Sequence, residues 1–203
     1  MSDLIKTSAL LFILLNPFLL VVYMIDVFAK LPPETFRSVV FRAGIISSLV
    51  FVAVALLGDV LFRDILQAQF ASFEVFGGIV FLLIALRFVF DGNSAIAALR
   101  GDSQHLAGAI AMPVMIGPGT IGASIVIGKR LSPFNAVMAV ILAVMASVMV
   151  IIALKYLHDY VRERNEKLVD RYIETAGRVT ALVVGTFAIE MIMRGLKGWL
   201  AVV

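Results

Sequence analysis

Two short stretches place helix breakers and polar groups inside apolar sequence. One is Asn16-Pro17 in "FILLNPF"; the other is Gly117-Pro118-Gly119-Thr120 in "AMPVMIGPGTI". Proline has no N–H to donate, its ring clashes with the preceding turn, and the residue before it is pushed out of the α region. A helix that stops at Leu15 and restarts at Pro17 would use Asn16 as its cap, a favoured pairing, and Gly117 stands before Pro118 in the same way. A restarted helix presents free N–H groups and the positive end of its dipole, where an anion or a carboxylate fits. The carbonyls freed upstream can hold a cation or an ammonium group. Asn16, Pro17, Gly117, Pro118, Gly119 and Thr120 are therefore the expected substrate-binding residues. Either break alone is as well explained by a packing kink. As a matched pair they point to a transport site. Glu190 is a further candidate. A carboxylate within a spanning helix suits proton coupling, while an i,i+4 pair with Arg194 is the competing structural reading.

The elements that must position these residues are membrane helices. The chain has 203 residues, of which 62% are hydrophobic and only 15% charged, with a mean hydropathy of +1.05. Soluble domains do not have this composition. Thr7–Ile25, Ala43–Gly58, Leu106–Gly128 and Leu131–Leu154 carry no charged residue. Phe70–Phe90 holds only Glu74 and Arg87, and Ile173–Leu200 is apolar apart from Glu174, Arg178, Glu190, Arg194 and Lys197. A span needs about 20 apolar residues, so the pattern predicts an all-α integral membrane protein of about six transmembrane helices. Residues 1–203 would form one membrane domain, with helices 1 and 4 broken near mid-membrane.

The chain also repeats itself. "KLPP" (Lys30–Pro33) is echoed by "RLSP" (Arg130–Pro133), and "EVFG" (Glu74–Gly77) by "ETAG" (Glu174–Gly177), each at a spacing of 100 residues. "NPF" is echoed by "GPG" at a spacing of 101, proline to proline. Two related halves follow, 1–100 and 101–203. With three spans in each, the second half must start on the opposite side of the membrane, which makes the repeats inverted. Lys30, Arg37, Arg42, Arg87, Arg100 and the Lys155–Arg178 group fall on one side, against Lys6, Arg63, Lys129, Arg130, Arg194 and Lys197 on the other. The richer side is expected to be cytoplasmic, leaving both termini outside.

Other functions are excluded by what the sequence lacks. There is no cysteine, hence no disulfide or thiol chemistry. The net charge of +3 comes from residues flanking apolar runs, so it reads as bilayer contact, not nucleic-acid binding. His105 and His158 are expected in loops without metal-ligand spacing. No nucleophile, phosphate-loop or dinucleotide motif is present, so neither an enzyme, a cofactor nor a metal is expected.

"FILLNPF", "AMPVMIGPGTI", "FGGIVFLLIALRFVFDG" and the ending "MIMRGLKGWL" together resemble the MarC family, also classed as six-span neutral amino acid transporter-like proteins. The resemblance covers nearly the whole chain. It implies a bacterial or archaeal inner-membrane protein and, for some relatives, transport of small neutral amino acids such as glycine or alanine, coupled to a proton or sodium gradient. The expected partners are a small-molecule solute, the lipid bilayer and further copies of the chain. One departure is Phe18-Leu19-Leu20-Val21-Val22, where the family has small residues after the proline; this bulk narrows the site. An exporter or permease of another solute, and a structural membrane protein, are the alternative readings.

Overall fold

The computed structural model describes residues 2–17, 20, 31–58, 60, 62, 64, 68–91, 106–164 and 166–200. They form α1 (Ser2–Leu15), α2 (Pro33–Leu57), α3 (Phe70–Asp91), the short α4 (Leu106–Ala109), a π-helical turn (Ile110–Met115), α5 (Pro118–Arg130), α6 (Pro133–Arg164) and α7 (Glu166–Leu200). No strand occurs among the described residues. Among the described residues, three helices are long and apolar enough to cross a bilayer: Pro33–Leu57, Phe70–Arg87 and Pro133–Val161. At 1.5 Å per residue the 25 residues of α2 reach about 38 Å, more than the roughly 30 Å hydrocarbon layer. Apolar side chains also cover the outside. Ile13, Leu49, Phe134 and Leu182 are each at least 65% exposed, an arrangement that suits lipid and not water.

Two cores organise the helices. α1, α2, α5, α6 and the segment before α5 share the larger, built around Leu11, Phe36, Phe51, Met115, Val140 and Ile151. α3 and α7 pack against each other and bury a separate small cluster of Ile84, Ala85, Ala181 and Val184. Small residues bring these two helices close. A side chain at Gly78 would stand 2.8 Å from the Ala188 carbonyl oxygen, and one at Gly195 would stand 2.6 Å from that of Ala71.

Several helix contacts have a counterpart about 100 residues along the chain. α1 lies on α6 as α5 lies on α2, while α2 meets α6, α3 meets α7 and α1 meets α5. The buried faces agree in register as well. Phe36, Val40, Ala43, Ser47 and Phe51 on α2 are buried, and so are Ala136, Val140, Ala143, Ser147 and Ile151 on α6. Both helices open on a proline, Pro33 and Pro133, which costs nothing at a helix start.

Candidate functional site

The first break turns on one residue. α1 ends at Leu15, and Asn16 has φ 42, the left-handed region that asparagine tolerates better than other side chains. Its N–H is shared between the carbonyls of Phe12 and Ile13, both at 3.2 Å, and its own carbonyl accepts Leu20 N–H at 3.1 Å. Asn16 thus closes α1 with a left-handed turn, a helix C-terminal device, while its carbonyl, in accepting Leu20 N–H, plays the part of an N-cap carbonyl. Pro17 is helical and buried. Phe18 lies outside the described residues.

The second break begins earlier than Gly117. Met112 has φ −122 and ψ 129 inside the π-helical turn, because the residue before Pro113 is driven out of the α region. Ile116 N–H then bonds the Ala111 carbonyl at 2.8 Å, one residue wider than an α-helical turn. Gly117 follows in extended conformation, φ −123 and ψ 169, as the N-cap of α5, with Pro118 at its first position. Thr120 closes this cap. Its Oγ1 accepts Gly117 N–H at 3.0 Å and lies 3.0 Å from the Met115 carbonyl and 2.9 Å from that of Gly117. A hydroxyl has one proton, so it donates to one of the two at a time. Thr120 is only 4% exposed. Its hydroxyl is committed to the backbone and is not held open for a ligand. The N–H groups of Gly119 and Thr120 have no acceptor within their own helix; Ile121 N–H is the first to find one, Gly117 O at 2.9 Å.

The two breaks lie on neighbouring elements. α1 packs on α5, and the atom closest to a side chain added at Gly119 is Leu14 Cδ2, at 4.0 Å. Leu14 is two residues before Asn16. Among the described residues beyond its own helix backbone and chain neighbours, nothing else lies within 4 Å of that position, and Gly119 itself is exposed. Open space therefore adjoins the free end of α5 and the end of α1.

Three contacts here were not legible in the sequence. The Pro118 ring fills the notch left by Gly77 on α3, against which any side chain would collide. The Gly77-Gly78 pair announces a close helix contact, but not that a proline from another helix enters it. Ser47 Oγ lies 3.5 Å from Met115 Sδ, just before the second break. Ser124 Oγ bonds the Thr120 carbonyl at 2.8 Å.

Glu190 stands apart from this arrangement. Ala188 and Ile192 are the residues of α7 that meet Gly78, whereas Glu190 is turned outward with its side chain 63% exposed, its Oε1 3.6 Å from Arg194 Nη2. His158 sits within α6 and not in a loop, because α6 runs past the apolar segment to Arg164. Its Nδ1 is 3.2 Å from Asp159 Oδ1. The same carboxylate receives Lys155 Nζ at 2.7 Å. His105 lies outside the described residues, among which no three acidic or histidine groups gather as metal ligands would.

A model of the MarC family of integral membrane proteins matches residues 1–200. The chain belongs to the MarC family. Among its relatives, a UPF0056 membrane protein of Aquifex aeolicus is 28% identical over 151 residues, covering 70% of each chain. A UPF0056 membrane protein of Pyrococcus abyssi is 26% identical over 98% of each chain, and one of Methanocaldococcus jannaschii is 27% identical over 93%. No solved structure matches the chain. Membership of the MarC family places the chain in the membrane, in keeping with its apolar helices and outward-facing Leu, Ile and Phe.

Proposed function

We propose that the protein is a secondary transporter of small neutral amino acids, glycine- or alanine-like, with its solute bound between the end of α1 and the start of α5. The observation that carries this reading is the meeting of Leu14 and Gly119 beside open space, which puts the Asn16 turn and the Pro118 helix start on neighbouring elements. The 14 residues of α1 and the 13 of α5 each reach only about 20 Å, too short to cross alone. In this reading each is half of a broken span. Irregular backbone at membrane depth is tolerated where protein or a wet cavity surrounds it.

The solute carboxylate would accept from the N–H groups of Gly119 and Thr120, where the helix dipole adds to the attraction. The ammonium would face carbonyls released at the two breaks. The contacts of α1 with α6 and of α5 with α2, and the matching buried faces of α2 and α6, support an inverted repeat of six spans, α7 being the sixth. Both termini would then lie outside. Cysteines at Asp3 and Leu200, in a chain without native cysteine, would react with an impermeant thiol reagent in intact cells; labelling of one alone would refute the even span count. Exposure of Glu190 favours its role as a partner of Arg194 over that of proton carrier. The function is tested by uptake of labelled glycine, L-alanine, L-serine and L-leucine into proteoliposomes, with and without proton or sodium gradients. Uptake of the small ones is expected to saturate and exceed that of leucine. Uptake no greater than in protein-free liposomes would refute the proposal.

A further inference from the structure

We infer that Ser147 on α6 supplies a side-chain hydroxyl to the bound solute, an inference that rests on the solute site proposed above. Ser147 is fully buried, at 0% exposure, and its Oγ has no hydrogen-bond partner. Serine and threonine on a helix usually return the hydroxyl to the carbonyl one turn back. Three others here do so: Thr7 to Asp3 O at 2.8 Å, Ser124 to Thr120 O at 2.8 Å and Thr186 to Leu182 O at 2.9 Å. Ser147 does not, and its buried hydroxyl is left without a partner. A dry, unpaired hydroxyl is costly, and each one in a native fold calls for an explanation.

The register of the two halves says where that hydroxyl lies. Ser147 is the counterpart of Ser47 at a spacing of 100 residues, and both sit on the buried faces of α6 and α2. Ser47 Oγ meets Met115 Sδ at 3.5 Å, two residues before the Gly117 cap. Exchange of halves carries α2 to α6 and the segment before α5 to α1. The counterpart of Met115 is then Leu14–Leu15, immediately before Asn16. A leucine side chain has no acceptor, so on this correspondence the hydroxyl that meets sulfur at one site finds no side-chain partner at the other and is left to a solute atom arriving there. Thr120, the hydroxyl the sequence favours, is spent on its cap.

The test is thermal unfolding of the purified full chain, with and without glycine or L-alanine, for wild type, Ser147→Ala and Ser8→Ala. Ser8 Oγ is also buried without a partner, but it lies eight residues before Asn16, about 12 Å along α1. Both alanine variants are expected to melt higher than wild type without solute, since each removes an unpaired hydroxyl. Only Ser147→Ala is expected to lose the solute-induced rise in melting temperature, with about tenfold weaker binding. A glycine-induced rise as large in Ser147→Ala as in wild type would overturn this inference and leave the proposed function standing. A Ser147→Ala protein less stable than wild type would overturn it too, by showing that the hydroxyl has a partner within the fold. A wild-type protein that neither amino acid stabilises would overturn the proposed function and this inference together.

Discussion

A methyl group at Gly77 is the sharpest probe of how the site is held. Built on the backbone, its carbon would fall on the Pro118 ring, 2.7 Å from Cδ and closer still to Cγ. Ordinary carbon contacts lie at about 3.5–4.0 Å, so α3 would have to retreat by about 1.5 Å or more. The ring cannot swing aside, because proline fixes φ and the Thr120 cap holds Gly117. Nor is there room behind α3, where Gly78 already lies close to the backbone of Ala188 and Ile192. Overpacking of this kind costs about 1–3 kcal/mol. Replacing a helical glycine with alanine returns about 0.5–1 kcal/mol. Gly77→Ala is therefore expected to destabilise by about 0.5–2 kcal/mol. The assay is reversible unfolding in micelles beside Gly108→Ala, where no described residue lies within 4 Å of the added carbon and helix propensity alone should give a gain. A Gly77→Ala protein as stable as wild type, or more so, would refute the Pro118 contact.

Three further outcomes are expected. The left-handed φ of Asn16 makes Asn16→Val cost about 1–2 kcal/mol more than Asn16→Gly; equal stabilities in the same unfolding assay would deny the turn. Thr120→Val removes the acceptor of a buried N–H and should cost about 1–3 kcal/mol, with Thr120→Ser near wild type; amide exchange at Gly117 would rise in the valine variant alone. Glu190→Gln is expected to leave gradient-driven uptake within about twofold of wild type, the pair with Arg194 being exposed; abolished accumulation with intact counterflow would make Glu190 the proton carrier after all.

Chain-local features were legible in the sequence. The long apolar runs mark α2, α3 and α6, since span length follows from bilayer thickness. The end of α1 before Pro17 and the start of α5 at Pro118 follow from proline chemistry. What escaped depends on partners distant in the chain. The Pro118 ring needs Gly77, some 40 residues earlier, and no local pattern names that partner. Asn16 could cap a helix start or turn over at a helix end, and only the direction of the chain beyond it decides. Pro113 acts locally too: its preceding residue, Met112, is extended outright. Ser147 carries no motif at all, and its interest lies in a partner it lacks.

The most direct measurement is equilibrium binding of labelled glycine and L-alanine to the purified protein, wild type beside Gly119→Leu. Among the described residues Gly119 meets only Leu14, at 4.0 Å, so a leucine there can fold into the open space beside it and occupy it. Saturable binding by wild type, lost in a Gly119→Leu protein of undiminished stability, is the expected result. Binding that survives Gly119→Leu unchanged, or no binding by wild type, would contradict a solute site between α1 and α5.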